Sequence, residues 1–338
     1  MSPASFGAML TRAVGTVAVA VAMLVVVASP SGAQPGPGSP DRAMIDHVEQ
    51  ITDRWHRVFV ASPAMGRIVE VQVLLPSHGE TPRPTVYLLD GRAADPAGNT
   101  WITRADAVDF FADKPVNVVL TVGGPVSYYT DWQRPDPVLG TYQWETFLTR
   151  ELPPLLDATY HGNGTKAVAG LSMGAQGAFM LAARNPGDFA AVAGFSGCYT
   201  STGLGEAQLR AVVASMGGNA DNMFGPSGDP NWAAHDVIAH AESLRSTAVY
   251  LSAGTGVPGT HDTTGNPAVL DAVVFGGPLE SGASLCTRRL AARLDALGIA
   301  ATVNLRATGT HSWPYWSAEL RSAWPLLAAA LSEPRKES

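Results

Sequence analysis

The chain has little charge: 15% of its 338 residues are Asp, Glu, Lys or Arg, and the formal balance is −7. No basic cluster appears anywhere, which argues against nucleic acid as a partner. Cysteine is nearly absent, with Cys198 and Cys286 alone. No clustered set of His, Cys and Asp suggests a metal site, so neither metal nor organic cofactor is expected. There is no internal repeat and no second linker. No apolar run reaches the roughly 20 residues a membrane-spanning helix needs. What is abundant is apolar sequence, 46% of the chain, which suits a well-cored globule rather than a disordered polymer.

The N-terminus reads as a processing signal. Arg12 precedes an apolar run from Ala13 to Ala28, and Ser31-Gly32-Ala33 ends it with small residues. This is the layout of a secretory signal peptide cleaved after Ala33. Its removal takes Arg12 with it and leaves a mature chain at −8 without a transmembrane segment. The expected organisation is a signal peptide over 1–33, a Pro/Gly linker and lead-in over 34–50, one catalytic domain over 51–332, and a polar tail over 333–338. In an oxidising compartment Cys198 and Cys286 are expected to pair. The loop between them is long, so the chain-entropy account assigns the bridge about 4–5 kcal/mol.

Within the domain, "RWHRVFVASPAMGRIVEVQVLLP" reads as two strands. In the second, Val69, Val71 and Val73 alternate with Glu70 and Gln72, as in a half-exposed antiparallel strand. Short, nearly continuous apolar runs follow: "TVYLLDG", "NVVLTVGG", "KAVAGLS", "AAVAGFSG", "TAVYLSAG" and "ATVNLRATG". Such runs mark buried parallel strands. Helical stretches separate several of them, among them "GAQGAFMLAARNP" and "SLCTRRLAARLDALG". The alternation predicts an open α/β fold with a mostly parallel central sheet and helices on both faces. In such sheets chemistry sits beyond the carboxyl ends of the strands.

Gly170-Leu171-Ser172-Met173-Gly174 fits G-x-S-x-G between a strand and a helix, the context that gives this pattern meaning. A side chain two residues to either side of the serine would collide with strand or helix. The tight turn lifts the hydroxyl off the sheet, and the helix N-terminus behind it favours developing negative charge. A serine at its free pKa needs a base, and in α/β-hydrolases the order is Ser, acid, His. Of the later histidines, only His311 lies just past the final strand and ahead of the last helix. His235 and His240 fall in a polar connection and are expected at the surface. For the acid, spacing leaves two choices. Asp262 follows the strand "TAVYLSAG", and Glu280 stands ahead of the long helix.

"VYLLDG", "YYTDW", "TYQWETFLTRELPPLL", "GLSMG", "DNMFGPSGDPNW" and "GTHSWPYW" together resemble the antigen-85-type mycolyltransferases over Trp55 to Leu327. The resemblance implies the α/β-hydrolase fold and secretion to the cell envelope. It implies transfer of a mycolyl chain from one trehalose monomycolate to another, or to cell-wall arabinogalactan, through an acyl-serine. By position it makes Ser172 the nucleophile and His311 the base, and it selects Glu280, 31 residues before His311, as the acid with Asp262 as runner-up. The backbone N–H groups of Met173 and Arg92 become the oxyanion hole, and Asp90 and Trp313 line the sugar site. One departure stands out. The family's "LLDGLRA" reads "LLDGRAA" here, so Arg92 replaces a Leu and Ala93 replaces the usual sugar-contacting Arg. Water in place of a sugar acceptor would make the same triad a carboxylesterase. Some relatives have lost the serine and are non-catalytic envelope proteins, whereas this chain keeps all three residues.

Overall fold

A computed structural model describes residues 42–78 and 81–333. The expected signal peptide, most of the linker and the tail from residue 334 lie outside them. Nine strands form one sheet: β1 (Met44–Thr52), β2 (Trp55–Ser62), β3 (Arg67–Leu74), β4 (Arg83–Leu89), β5 (Asn117–Thr121), β6 (Gly162–Leu171), β7 (Ala191–Phe195), β8 (Ala248–Ala253) and β9 (Ala301–Leu305). Their spatial order is β1-β2-β3-β5-β4-β6-β7-β8-β9. The first three pair antiparallel, as does β3 with β5, and every pairing from β5 through β9 is parallel. The five longest helices among the described residues are α1 (Leu152–Tyr160), α2 (Met173–Arg184), α3 (Leu204–Ala214), α4 (Gly277–Ala296) and α5 (Trp313–Ser332).

Five of the six apolar runs are strands buried on both faces, whereas "ATVNLRATG" forms β9, an edge strand whose residues are half-buried or exposed rather than buried as expected. Alternate residues divide between two cores: Val86 and Leu88 face one, Tyr87 and Leu89 the other. Along β7, Ala191, Ala193 and Phe195 join the first core and Val192 the second. Small residues dominate β6 and β7 because α2, buried from Met173 to Ala183, lies close against them. A Cβ at Gly194 would come 2.8 Å from the Phe179 ring.

Three further local expectations are corrected. The lead-in expected up to residue 50 contains β1, which pairs with β2, so the sheet extends across the boundary expected at residue 51. This edge strand is solvated on both faces, so no apolar run advertises it. Strand β3 is more deeply buried than its alternation implies, because Gln72 is covered and donates to Glu70 at 3.2 Å. His235 is buried rather than superficial; His240 is exposed, as expected.

The His235 ring stacks on Phe224 at 4.0 Å between centroids, and its Nδ1–H donates to the Asn231 carbonyl at 2.7 Å. Burial pushes its pKa down from 6.5 to about 4, helped by nearby Arg184. Between these values the unfolded chain binds a proton that the folded chain refuses. Stability is therefore full above pH 6.5 and falls as the pH drops towards 4. The fall is expected to be roughly 1 kcal/mol per pH unit. Urea denaturation at several pH values checks it, and His235→Gln should flatten this part of the profile relative to the native chain.

Candidate active site

Sheet register brings the site together before any side chain is considered. Leu89 is level with Gly170, Leu171 with Phe195, and Phe195 with Ser252. The residues just past these strand ends, Asp90, Ser172, Ser196 and Gly254, therefore line up along one edge. Backbone bonds lock the alignment: Ser172 N–H donates to the Phe195 carbonyl and Ser196 N–H to that of Ser252, both at 2.8 Å.

Ser172 stands at the strand-to-helix turn with φ +52°, a left-handed conformation that a non-glycine residue adopts at a cost. The flanking glycines are sterically required. A Cβ on Gly170 would lie 2.2 Å from the Gly174 carbonyl oxygen, and one on Gly174 would lie 2.4 Å from that of Asp90. Ser172 occupies the N-cap of α2 without spending its hydroxyl on the cap.

That hydroxyl lies 2.8 Å from His311 Nε2, and His311 Nδ1 lies 2.8 Å from Glu280 Oε2. A carboxylate only accepts, so it holds the proton on Nδ1 and leaves Nε2 able to accept from Ser172. Trp316 packs edge-on against the imidazole at 4.9 Å between centroids. Glu280 is completely buried. Its Oε1 accepts from Ser196 Oγ at 2.8 Å and from Gly254 N–H at 2.5 Å, with Arg306 Nη2 at 3.5 Å. Glu280 sits in the first turn of α4, not ahead of the helix as the sequence implied.

Asp262 is not at the imidazole. Its carboxylate accepts from the hydroxyls of Thr310 and Tyr315, each at 2.7 Å, and so secures the segment leading to His311. Asp90 is covered and its carboxylate is engaged. Oδ1 takes Gly91 N–H at 2.8 Å, and Oδ2 takes Thr100 N–H at 2.9 Å and Oγ1 at 2.6 Å. Burial nevertheless pushes its pKa up. Asp90 thus shapes the loop carrying Arg92, whose carbonyl accepts from Val126 N–H at 3.0 Å. The Arg92 guanidinium turns across the opening to Ser215 Oγ at 3.3 Å and Met216 Sδ at 3.5 Å, while Ala93 is exposed.

Ser172 and His311 open into a cavity of about 760 Å³. Asp90, Arg92 and Thr100 line it, as do Gln208, Ala211 and Val212 of α3, the following Ser215, and Leu279 of α4, so the lining mixes polar and apolar side chains. Trp313 and Trp316 both line it. Cys198, also in the wall, is disulfide-bonded to Cys286, so β7's extension is tied to the helix carrying Glu280. No group of three or more His, Cys, Asp or Glu able to hold a metal occurs among the described residues.

Similarity to known proteins follows the same outline. The family model described as "Putative esterase" matches residues 62–327. The diacylglycerol acyltransferase/mycolyltransferase Ag85B of Mycobacterium leprae is 37% identical over 80% of this chain and 83% of that protein. The chain belongs to the antigen 85 family. Ag85A of Mycobacterium tuberculosis, also titled a diacylglycerol acyltransferase/mycolyltransferase, is 34% identical over 80% of each chain. Among solved structures, Mycobacterium tuberculosis MPT51 (FbpC1) is similar at TM-score 0.70 and 28% identity, covering 83% of this chain and all of that one. A ferulic acid esterase, 18% identical at TM-score 0.56, shares the fold alone. This antigen 85 family member is therefore an acyltransferase built on an α/β-hydrolase fold.

Ser196 is the site residue that motif reading passes over. It has φ +57°, donates to Glu280 and accepts from Trp316 Nε1 at 3.0 Å. Its only signal in the sequence is its place at a strand end, in "AAVAGFSG". A hydrogen bond to a buried carboxylate is typically worth 1.5–3 kcal/mol. Ser196→Ala should accordingly slow labelling of Ser172 by a fluorophosphonate by ~10- to 100-fold, followed by intact-protein mass spectrometry. In a second measurement, replacing both Cys198 and Cys286 by Ser should cost about 4 kcal/mol of unfolding free energy in denaturant titrations.

Proposed function

We propose that the protein is a secreted serine acyltransferase that moves a mycolyl group from trehalose monomycolate to a second trehalose monomycolate or to cell-wall arabinogalactan. The observation that carries this reading is the continuous Ser172–His311–Glu280 chain, 2.8 Å at each step, opening into a cavity lined by both polar and apolar side chains. His311 takes the Ser172 proton as the oxygen attacks the donor ester. The N–H groups of Met173 and Arg92 receive the charge on the tetrahedral oxygen; such donors are typically worth several kcal/mol of barrier. Glu280 keeps the imidazole oriented and balances its positive charge. His311 then protonates the departing trehalose, releasing it and leaving the acyl group on Ser172. An acceptor hydroxyl next gives its proton to His311 and takes the acyl group, restoring the free serine.

The loop after β4 holds sugar differently from the family pattern, because Arg92 stands one position early and the Asp90 carboxylate already has three donors. Acceptor choice is therefore expected to depend on Arg92, Thr100 and Trp313.

Residues 34–338 are incubated with trehalose monomycolate and labelled trehalose, and products are followed by mass spectrometry. Label is expected in the mycolate ester and should disappear with Ser172→Ala. Glu280→Gln should retain binding but lose roughly 10⁴-fold in turnover, as loss of the orienting acid does in comparable triads. Release of free mycolic acid without labelled ester would replace this reading with a carboxylesterase. Absence of turnover together with no fluorophosphonate labelling would mean a non-catalytic envelope protein.

A further inference from the structure

A second buried carboxylate lies next to the Ser172–His311–Glu280 chain, and nothing above gives it a role. Glu319, in the second turn of α5, is buried. Its Oε2 accepts from the Tyr250 hydroxyl at 2.7 Å. Asn304 Nδ2 donates to Oε1 at 3.0 Å and to Oε2 at 3.2 Å, and Arg306 Nη1 donates to Oε1 as well. Every partner is a donor, so both oxygens act as acceptors and the group is held as a carboxylate. Burial, reinforced by Glu319 itself, pushes the Tyr250 phenol up, which keeps it a donor.

Arg306 connects this carboxylate to the one beside the imidazole. It follows β9, where its N–H donates to the Ala253 carbonyl at 2.9 Å. While Nη1 is spent on Glu319, Nη2 lies 3.5 Å from Glu280 Oε1. The Tyr315 ring covers the guanidinium, with Cζ 5.2 Å from the ring centroid. Beyond that ring, the Tyr315 hydroxyl donates to Asp262, and His261 packs edge-on at 4.9 Å between centroids. One guanidinium is thus shared by two buried carboxylates, and of the two it is Glu280 that meets His311.

Charge decides what this arrangement does. When the imidazole takes the Ser172 proton it becomes a cation beside Glu280. An uncompensated Arg306 would cancel much of the field that stabilises this cation, because adjacent opposite charges largely neutralise each other at a distance. Glu319 offsets Arg306 instead. We propose that Glu319 is a positioning residue for the reaction, acting through Arg306 to hold the far oxygen of Glu280 while leaving the Glu280 charge to the imidazolium. The inference rests on the triad reading above and extends it into the interior.

The test follows labelling of Ser172 by a fluorophosphonate across a range of pH, read by intact-protein mass spectrometry. Labelling needs an unprotonated imidazole, so the native rate should fall in an acid limb, and His311→Gln should abolish labelling. Glu319→Gln leaves the Arg306 charge uncompensated and disfavours the imidazolium. Its limb should therefore move to lower pH by about one unit, with a plateau several-fold slower. Arg306→Gln should move the limb to higher pH, and the double variant, lacking both charges, should return it close to the native position. A packing role alone would slow labelling without these opposed shifts. If Glu319→Gln does not fold, the limb of Arg306→Gln must still lie above that of the double variant. A limb that Glu319→Gln leaves unmoved, or one shared by Arg306→Gln and the double variant, would overturn the proposal and leave the triad standing. Labelling that survives His311→Gln, or no labelling of the native Ser172, would overturn the triad reading and the proposal with it.

Discussion

A carboxylate with no exposed surface organises this molecule. An ionised Glu280 in the interior would be prohibitively unstable unless every lone pair met a donor. The fold provides one from each of several elements: the end of β7 through Ser196, the end of β8 through Gly254, the residue after β9 through Arg306, and the loop before α5 through His311. All the parallel strands on one side of Ser172 must therefore be in register for the carboxylate to be tolerated. The same requirement aligns the imidazole with Ser172. Structural solvency of the buried charge and geometry of the proton path are one condition rather than two.

Strain is concentrated along the same edge. Ser172 and Ser196 both have positive φ, and both follow adjacent strands whose last residues are level. Each lies where its side chain must point out of the sheet instead of alternating across it. The surrounding cores, divided between the two faces of the sheet, hold these conformations in place. The bridge from Cys198 to Cys286 adds a covalent restraint between the β7 extension and α4, close to the acid.

The cavity lining is mixed. Polar residues come from the loop after β4, where Asp90 is committed to Gly91 and Thr100, and Arg92 reaches Ser215 at the end of α3. Apolar ones come from α3 and the start of α4. Ser172 opens into the same space.

Much of this was legible in the order of residues. Periodicity marked the buried strands because parallel strands covered on both faces must be apolar throughout. The G-x-S-x-G turn declared itself because only glycine fits where strand and helix backbones touch. His311 was marked by its place after the last strand. Other features carried no local signal. Strand β1 is solvated on both faces and lacks an apolar pattern, and His235 looked polar until Phe224 and its neighbours closed over it. Spacing could not choose between Glu280 and Asp262, since both follow β8 within reach of the sheet edge. Tertiary packing places them differently: α4 buries Glu280 against the imidazole, whereas Thr310 and Tyr315 draw Asp262 aside. Local sequence determines which residues can form a strand, a turn or a nucleophile. Which distant side chains share a buried charge is decided only when the sheet closes its register.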